Sequence, residues 1–213
     1  MEAKRLYIPA YVRNYSNGFT EDQNEFDFII TTDKRDSYGT IFTADGWDFT
    51  RYNENPVVFY QHRSNDDDPD NLIGITVKGP WRETLSDGTI AHIARVRFET
   101  PEVNEKAEKI RKKIIAGTLR MASIGANVQE YRWGDTSKEE NGDDIYFTKK
   151  ELFEWSVVNL GSNPGAMAKR NDEVLTAIRS EKDPEDTSEQ PTHEKNGLSL
   201  ERARLEIYKS KKF

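Results

Sequence analysis

Glu151-Leu152-Phe153-Glu154-Trp155-Ser156-Val157-Val158 is the stretch on which the fold turns. Aromatic and β-branched residues dominate it, and neither glycine nor proline interrupts it. It reads as the end of a long strand over residues 145–158. Successive side chains of a strand point to opposite faces. Glu154 therefore points away from the face carrying Phe153 and Trp155, and shares a side with Ser156. A second long strand, residues 119–133, precedes it, joined by a polar loop that contains Asn141-Gly142.

Working outward, residues 6–12, 25–32, 57–61, 72–77 and 90–98 also read as strands, with Asp87-Gly88 marking a turn before the last. In that strand Ile90, Ala94, Val96 and Phe98 share one face. Residues 47–53 read as a short helix before the Asn55-Pro56 break. The clearest helix is 102–116, with Thr100 as N-cap, Pro101 at the first helical position and Gly117 closing the end. Val103, Ala107, Ile110 and Ile114 form its apolar stripe. Many strands with few helices make an α+β chain. No internal repeat is evident.

Composition bounds the rest. The chain has 213 residues, 35% of them hydrophobic and 11% aromatic, enough for one core. This suggests a main domain over residues 1–178. Residues 179–197 are rich in Pro, Glu, Asp, Ser and Lys and read as a disordered linker. Residues 198–213 regain a stripe (Leu200, Ala203, Ile207) and read as a short C-terminal helix or removable tail. The net charge of -7 argues against a nucleic-acid partner, because phosphate binding wants a basic surface. No apolar run approaches a membrane span and no signal-peptide core is visible, so a soluble cytoplasmic chain is the default. The chain has no cysteine, which excludes disulfides and thiolate chemistry. Asp66, Asp68 and Asp70 mimic the start of a calcium loop, but Asn71 stands where the glycine is needed and no closing glutamate follows. No histidine pair has zinc spacing, and no glycine-rich phosphate loop exists. No metal or cofactor is expected.

Three apolar segments each carry one polar residue able to do chemistry. His62 ends the run from Asn55, Ser123 sits in Leu119-Arg120-Met121-Ala122-Ser123-Ile124-Gly125-Ala126, and Glu154 sits in the opening stretch. A serine, a histidine and a carboxylate are the parts of a serine hydrolase, and they recur in several chain orders. His62, at a strand end beside an acidic loop, is well placed as a general base, since imidazole titrates near about 6.5. Gly125 would let a substrate backbone approach Ser123, and strand amides nearby would help hold an oxyanion. Each residue also has an ordinary reading: a core serine bonded to backbone, a histidine bonded to its loop, a solvated glutamate. Glu151, Asp33 and Asp36 compete with Glu154. His92 falls on the apolar face of its strand, and His193 lies in the tail.

Taken together these segments resemble the prohead proteases of tailed bacteriophages, the capsid-maturation serine proteases related in fold to herpesvirus assemblins. The resemblance covers residues 26–168. It rests on Asn55-Pro56-Val57-Val58 leading to His62, Leu72-Ile73-Gly74, the helix before Gly117, Ser123-Ile124-Gly125, the 151–158 stretch, and Asn163-Pro164-Gly165-Ala166. Two positions depart from the pattern: Ala126 stands where an aromatic is common, and Gln61 where an acidic residue is frequent.

The resemblance implies a compact, mostly antiparallel β-barrel flanked by helices, herpesvirus-protease-like, with Ser123 as nucleophile, His62 as base and Glu154 as third member. It also implies a protease made inside an assembling procapsid in the host cytoplasm. Its partners would be the major capsid protein with its scaffold segment, and the protease itself through autoprocessing or as a homo-oligomer. Two other readings remain: a non-catalytic assembly protein on the same fold, and a ligand-binding barrel using Tyr131 and Trp133.

Overall fold

The computed structural model describes residues 4–13, 18–36, 38–159 and 168–182. In chain order these form β1 (Lys4–Val12), β2 (Glu25–Thr32), β3 (Thr40–Phe42), β4 (Trp47–Asp48), α1 (Thr50–Glu54), β5 (Val57–Tyr60), β6 (Leu72–Thr84), β7 (Ile90–Phe98), α2 (Glu105–Ile115), β8 (Met121–Trp133), β9 (Ile145–Val158) and α3 (Ala168–Lys182). The chain is mixed α and β, mostly strand, with few helices and one curled, half-barrel sheet. Its pairings run β9-β5-β6-β7-β2-β1-β8, and β8 pairs in turn with β9. Neighbours are antiparallel except along one edge of β9, where β3, β4 and β5 add in parallel.

Alternation builds the core. On β2, Phe26, Phe28 and Ile30 are buried while Asp27 and Ile29 are less so. On β8 and β9, Ala122, Ile124, Trp155 and Val157 lie within the core. The Trp155 ring lies 5.3 Å from that of Phe28, and its indole N–H donates to Thr76 Oγ1 at 2.9 Å. Thr76 in turn meets the Tyr52 hydroxyl at 2.6 Å, so the one polar atom of the buried indole has a partner. Burial of each such large apolar side chain is worth roughly 1.5–3 kcal/mol.

Several expectations change. Residues 47–53 are not one helix: Trp47 and Asp48 pair with Lys150 and Glu151 of β9, and only Thr50–Glu54 is helical. The main helix begins later than expected, at Glu105, with Asn104 rather than Thr100 as its N-cap. Asn104 Oδ1 accepts the Ala107 amide at 2.9 Å, while Nδ2 donates to Asp70 O, Leu72 O and Glu99 Oε2. Those bonds tie the helix start to the head of β6, and they leave Val103 outside the helix and 68% exposed. Ala107, Ile110 and Ile114 still form the buried stripe.

Helix α3 was not anticipated. The chain divides into one compact unit ending at Leu175 and another starting at Thr176, of which residues 176–182 are described. Residues 179–182, expected to begin the disordered linker, are helical. The remaining linker and tail, residues 183–213, lie outside the described residues, as does His193. No helix among the described residues is long and apolar enough to cross a membrane.

Candidate active site

Strand β5 sets the position of the histidine. It runs parallel to β9 with Val58, Phe59 and Tyr60 opposite Trp155, Ser156 and Val157, and the Gln61 amide extends the ladder to Val157 O at 3.0 Å. The chain then turns sharply. Gln61 (φ 59°) and His62 (φ 58°) are both left-handed, which for residues with a Cβ costs roughly 1–2 kcal/mol each. The turn carries His62 back over β9. Its amide donates to Ser156 Oγ at 3.2 Å, and its Nδ1 meets Glu154 Oε1 at 2.5 Å.

Strand β9 presents the carboxylate through an irregularity. Gly125 lies opposite Glu154, but Ala126 lies opposite Leu152, so Phe153 is an extra residue in β9. The bulge puts Leu152 on the core face and Glu154 on the other, with Ser156. Ser123 is the direct cross-strand partner of Ser156, and such pairs hold their Cβ atoms about 4.5–5.5 Å apart on one face. One face of β8 and β9 therefore carries Ser123, Gly125, Glu154 and Ser156, and His62 lies on it.

The hydrogens follow from the acceptor capacity of a carboxylate. Glu154 takes the Nδ1–H of His62 on Oε1 and the hydroxyl proton of Ser156 on Oε2, at 2.8 Å. With Nδ1 protonated, the neutral ring keeps its lone pair on Nε2, the form a general base requires. The His62 and Glu154 side chains are 9% and 4% exposed, and Ser123 and Ser156 are fully buried. Ser123 Oγ has no hydrogen-bond partner among the described residues. A buried hydroxyl left so costs about 1–3 kcal/mol, which an ordinary core serine avoids by bonding to backbone.

The competing carboxylates are engaged elsewhere. Asp33 accepts the Ile90 amide, Asp36 accepts the Tyr38 and Thr40 amides and the Thr40 hydroxyl, and Glu151 accepts from Asn127. Asp68 accepts the Asp70 amide and the Lys106 ammonium. Among the described residues no cluster of three metal-ligating side chains occurs. Strand β8 is paired on both edges at Ser123, with Pro9 and Ser156, so the amides near Gly125 serve the ladders. Ala126 is fully buried on the core side, and Tyr131 and Trp133 are half-buried.

His92 sits apart from this cluster. It is 6% exposed, with its ring 5.5 Å from Phe49 and 6.0 Å from Trp47. Burial, helped by the charges of Arg82 and Lys150, pushes its imidazole down to about 4. Nearby Lys150 is fully buried. Its ammonium donates to Thr43 O, Thr43 Oγ1, Asp45 O and Phe147 O, and burial pulls it down to about 8. Sequence reading had no signal for Lys150, and it put Ser156 beside Glu154 without marking it as buried: a lysine and a serine in a strand look like surface residues until the loop packed against each is known.

No family model, curated protein or solved structure matches this chain.

Proposed function

We propose that this chain is a serine endopeptidase of the prohead-protease type, with Ser123 as nucleophile, His62 as general base and Glu154 as the residue that orients His62. The observation that carries the reading is the 2.5 Å contact between Glu154 Oε1 and His62 Nδ1, on the sheet face that also bears a serine hydroxyl with no partner among the described residues. In the resting structure Ser123 Oγ bonds neither to His62 nor to any other described residue; in the reaction the two must meet, Ser123 Oγ attacking the scissile carbonyl carbon while His62 Nε2 takes its proton. The imidazolium, stabilised by Glu154, returns that proton to the leaving amine, and water then hydrolyses the acyl-enzyme by the same route. No cofactor enters the cycle. The curled, mostly antiparallel sheet is compatible with the herpesvirus-protease likeness. The substrate class that goes with the resemblance is the scaffold segment of a capsid protein inside an assembling procapsid, together with the chain itself. Because Ser123 is sealed from solvent, a peptide reaches it only when this face opens.

That same burial favours a second reading, in which the polar cluster is structural and the chain is a non-catalytic assembly protein. Incubating the purified full chain with its capsid protein and reading product masses separates the two. Cleavage by the wild type and none by Ser123→Ala, a loss on the order of 10⁶ in rate, supports the peptidase. Cleavage by a folded Ser123→Ala variant overturns the assignment. No cleavage, with no modification of Ser123 by a fluorophosphonate, favours the assembly protein.

A further inference from the structure

We infer that Ser156 is a positioning residue for the His62–Glu154 couple, a role that rests on the peptidase reading above. A serine hydroxyl has one proton and two lone pairs. Here the proton goes to Glu154 Oε2 at 2.8 Å, and a lone pair takes the His62 amide at 3.2 Å. One buried side chain thus holds both members of the couple, each by a different part.

The two bonds do different work. The bond to Oε2 fixes the rotation of the Glu154 carboxylate, so that Oε1 rather than its edge faces Nδ1. The bond from the His62 amide fixes the backbone that carries the ring. That backbone is left-handed at both Gln61 and His62, a conformation that persists in residues with a Cβ only when surrounding bonds hold it. Ser156 is fully buried and opposite Phe59 of β5, in the ladder that launches the turn, so its position is set by the sheet and not by the loop. It also lies directly opposite Ser123. Ser156 therefore references the base and its carboxylate to the strand pair that carries the nucleophile. Its proton is committed to a carboxylate, so it holds the couple in place and is not itself a catalytic residue.

The test uses the full chain labelled with ¹⁵N-histidine, with the His62 signals assigned by comparison with His62→Gln. In the wild type His62 reads as the Nδ1–H tautomer with a low-field proton. Ser156→Ala shifts that proton upfield and mixes the tautomers, and lowers kcat on a capsid-derived peptide about 10- to 100-fold with KM little changed, the size of one lost hydrogen bond to a charged group. Ser156→Thr, which keeps the hydroxyl, restores most of both. If Ser156→Ala leaves the imidazole signal in place and kcat within twofold, the inference is overturned. A wild type without peptidase activity defeats the peptidase reading instead; the imidazole signal needs no turnover, and its shift or constancy in Ser156→Ala then decides the positioning role by itself.

Discussion

Replacing His92 by phenylalanine removes a group that is neutral in the folded chain and charged in the unfolded one at mildly acid pH. Its imidazole falls from the ordinary 6.5 to about 4, first because it is buried, then because Arg82 and Lys150 are near. Between those two values the unfolded chain binds a proton that the folded chain refuses. Stability is therefore intact above about pH 6.5 and is lost as pH falls toward 4. The gap between those two values corresponds to roughly 3 kcal/mol, of which roughly 2 kcal/mol is gone by pH 5. Phenylalanine suits the ring pocket of Trp47 and Phe49 and does not titrate. The assay is urea unfolding of wild type and His92→Phe at pH 7, 6, 5 and 4.5, with His92→Gln as a second non-titrating variant. Carboxylates contribute their own acid slope, so the readout is the difference between wild type and variant at each pH. That difference should move by about 2 kcal/mol in favour of the variant between pH 7 and pH 5. A difference that stays constant to pH 4.5 in both variants would refute the burial argument.

Other consequences are equally direct. Glu154→Gln should leave the sheet folded and lower peptidase activity by roughly 10²–10⁴, because an amide facing Nδ1 favours the wrong tautomer; activity within tenfold of wild type would remove Glu154 from the mechanism. Ser123→Ala should keep or raise stability, by about 1 kcal/mol, since it deletes a buried hydroxyl with no partner among the described residues; a loss of about 2 kcal/mol in urea unfolding would mean the hydroxyl is bonded. Lys150→Met should destabilise by about 1–3 kcal/mol, because the oxygens of the Thr43–Asp45 loop lose a donor in a dry site, and an unchanged urea midpoint would show the ammonium cage to be idle.

The long strands were legible because their signal is local: residues 145–158 and 119–133 carry their own alternation, and the helical stripe of Ala107, Ile110 and Ile114 does the same. The helix start was not legible, since Asn104 outcompetes Thr100 through bonds to Asp70 and Leu72, more than thirty positions away. Alternation placed Glu154 with Ser156, which is how they stand, but it predicted a solvated face as readily as a buried one. The bulge at Phe153 depends on the register of β8, and the left-handed pair Gln61–His62 depends on what receives the turn. Neither has a clear residue signature: histidine is enriched at left-handed positions, but glutamine is not, and the bulge carries no glycine to mark it. The parallel pairing of β3, β4 and β5 with β9 likewise has no local mark.

Strand β9 is the last strand among the described residues, yet it hydrogen-bonds to β3, β4, β5 and β8. A nascent chain emerging from the ribosome can form the β6–β7 hairpin early. The edges of β3, β4 and β5 that β9 will cover must wait, and Thr40 meets Ile145 only after more than a hundred further residues have been made. Such long-range closure is slow, in the millisecond-to-second range typical of sheets with non-local pairing. Throughout that interval an unsheathed row of backbone donors and acceptors, flanked by Ile41, Phe42, Val58 and Phe59, is open to pairing with other nascent copies. The yield of folded chain thus depends on how soon the 145–158 segment follows, and a pause in translation before it favours aggregates over folded chain.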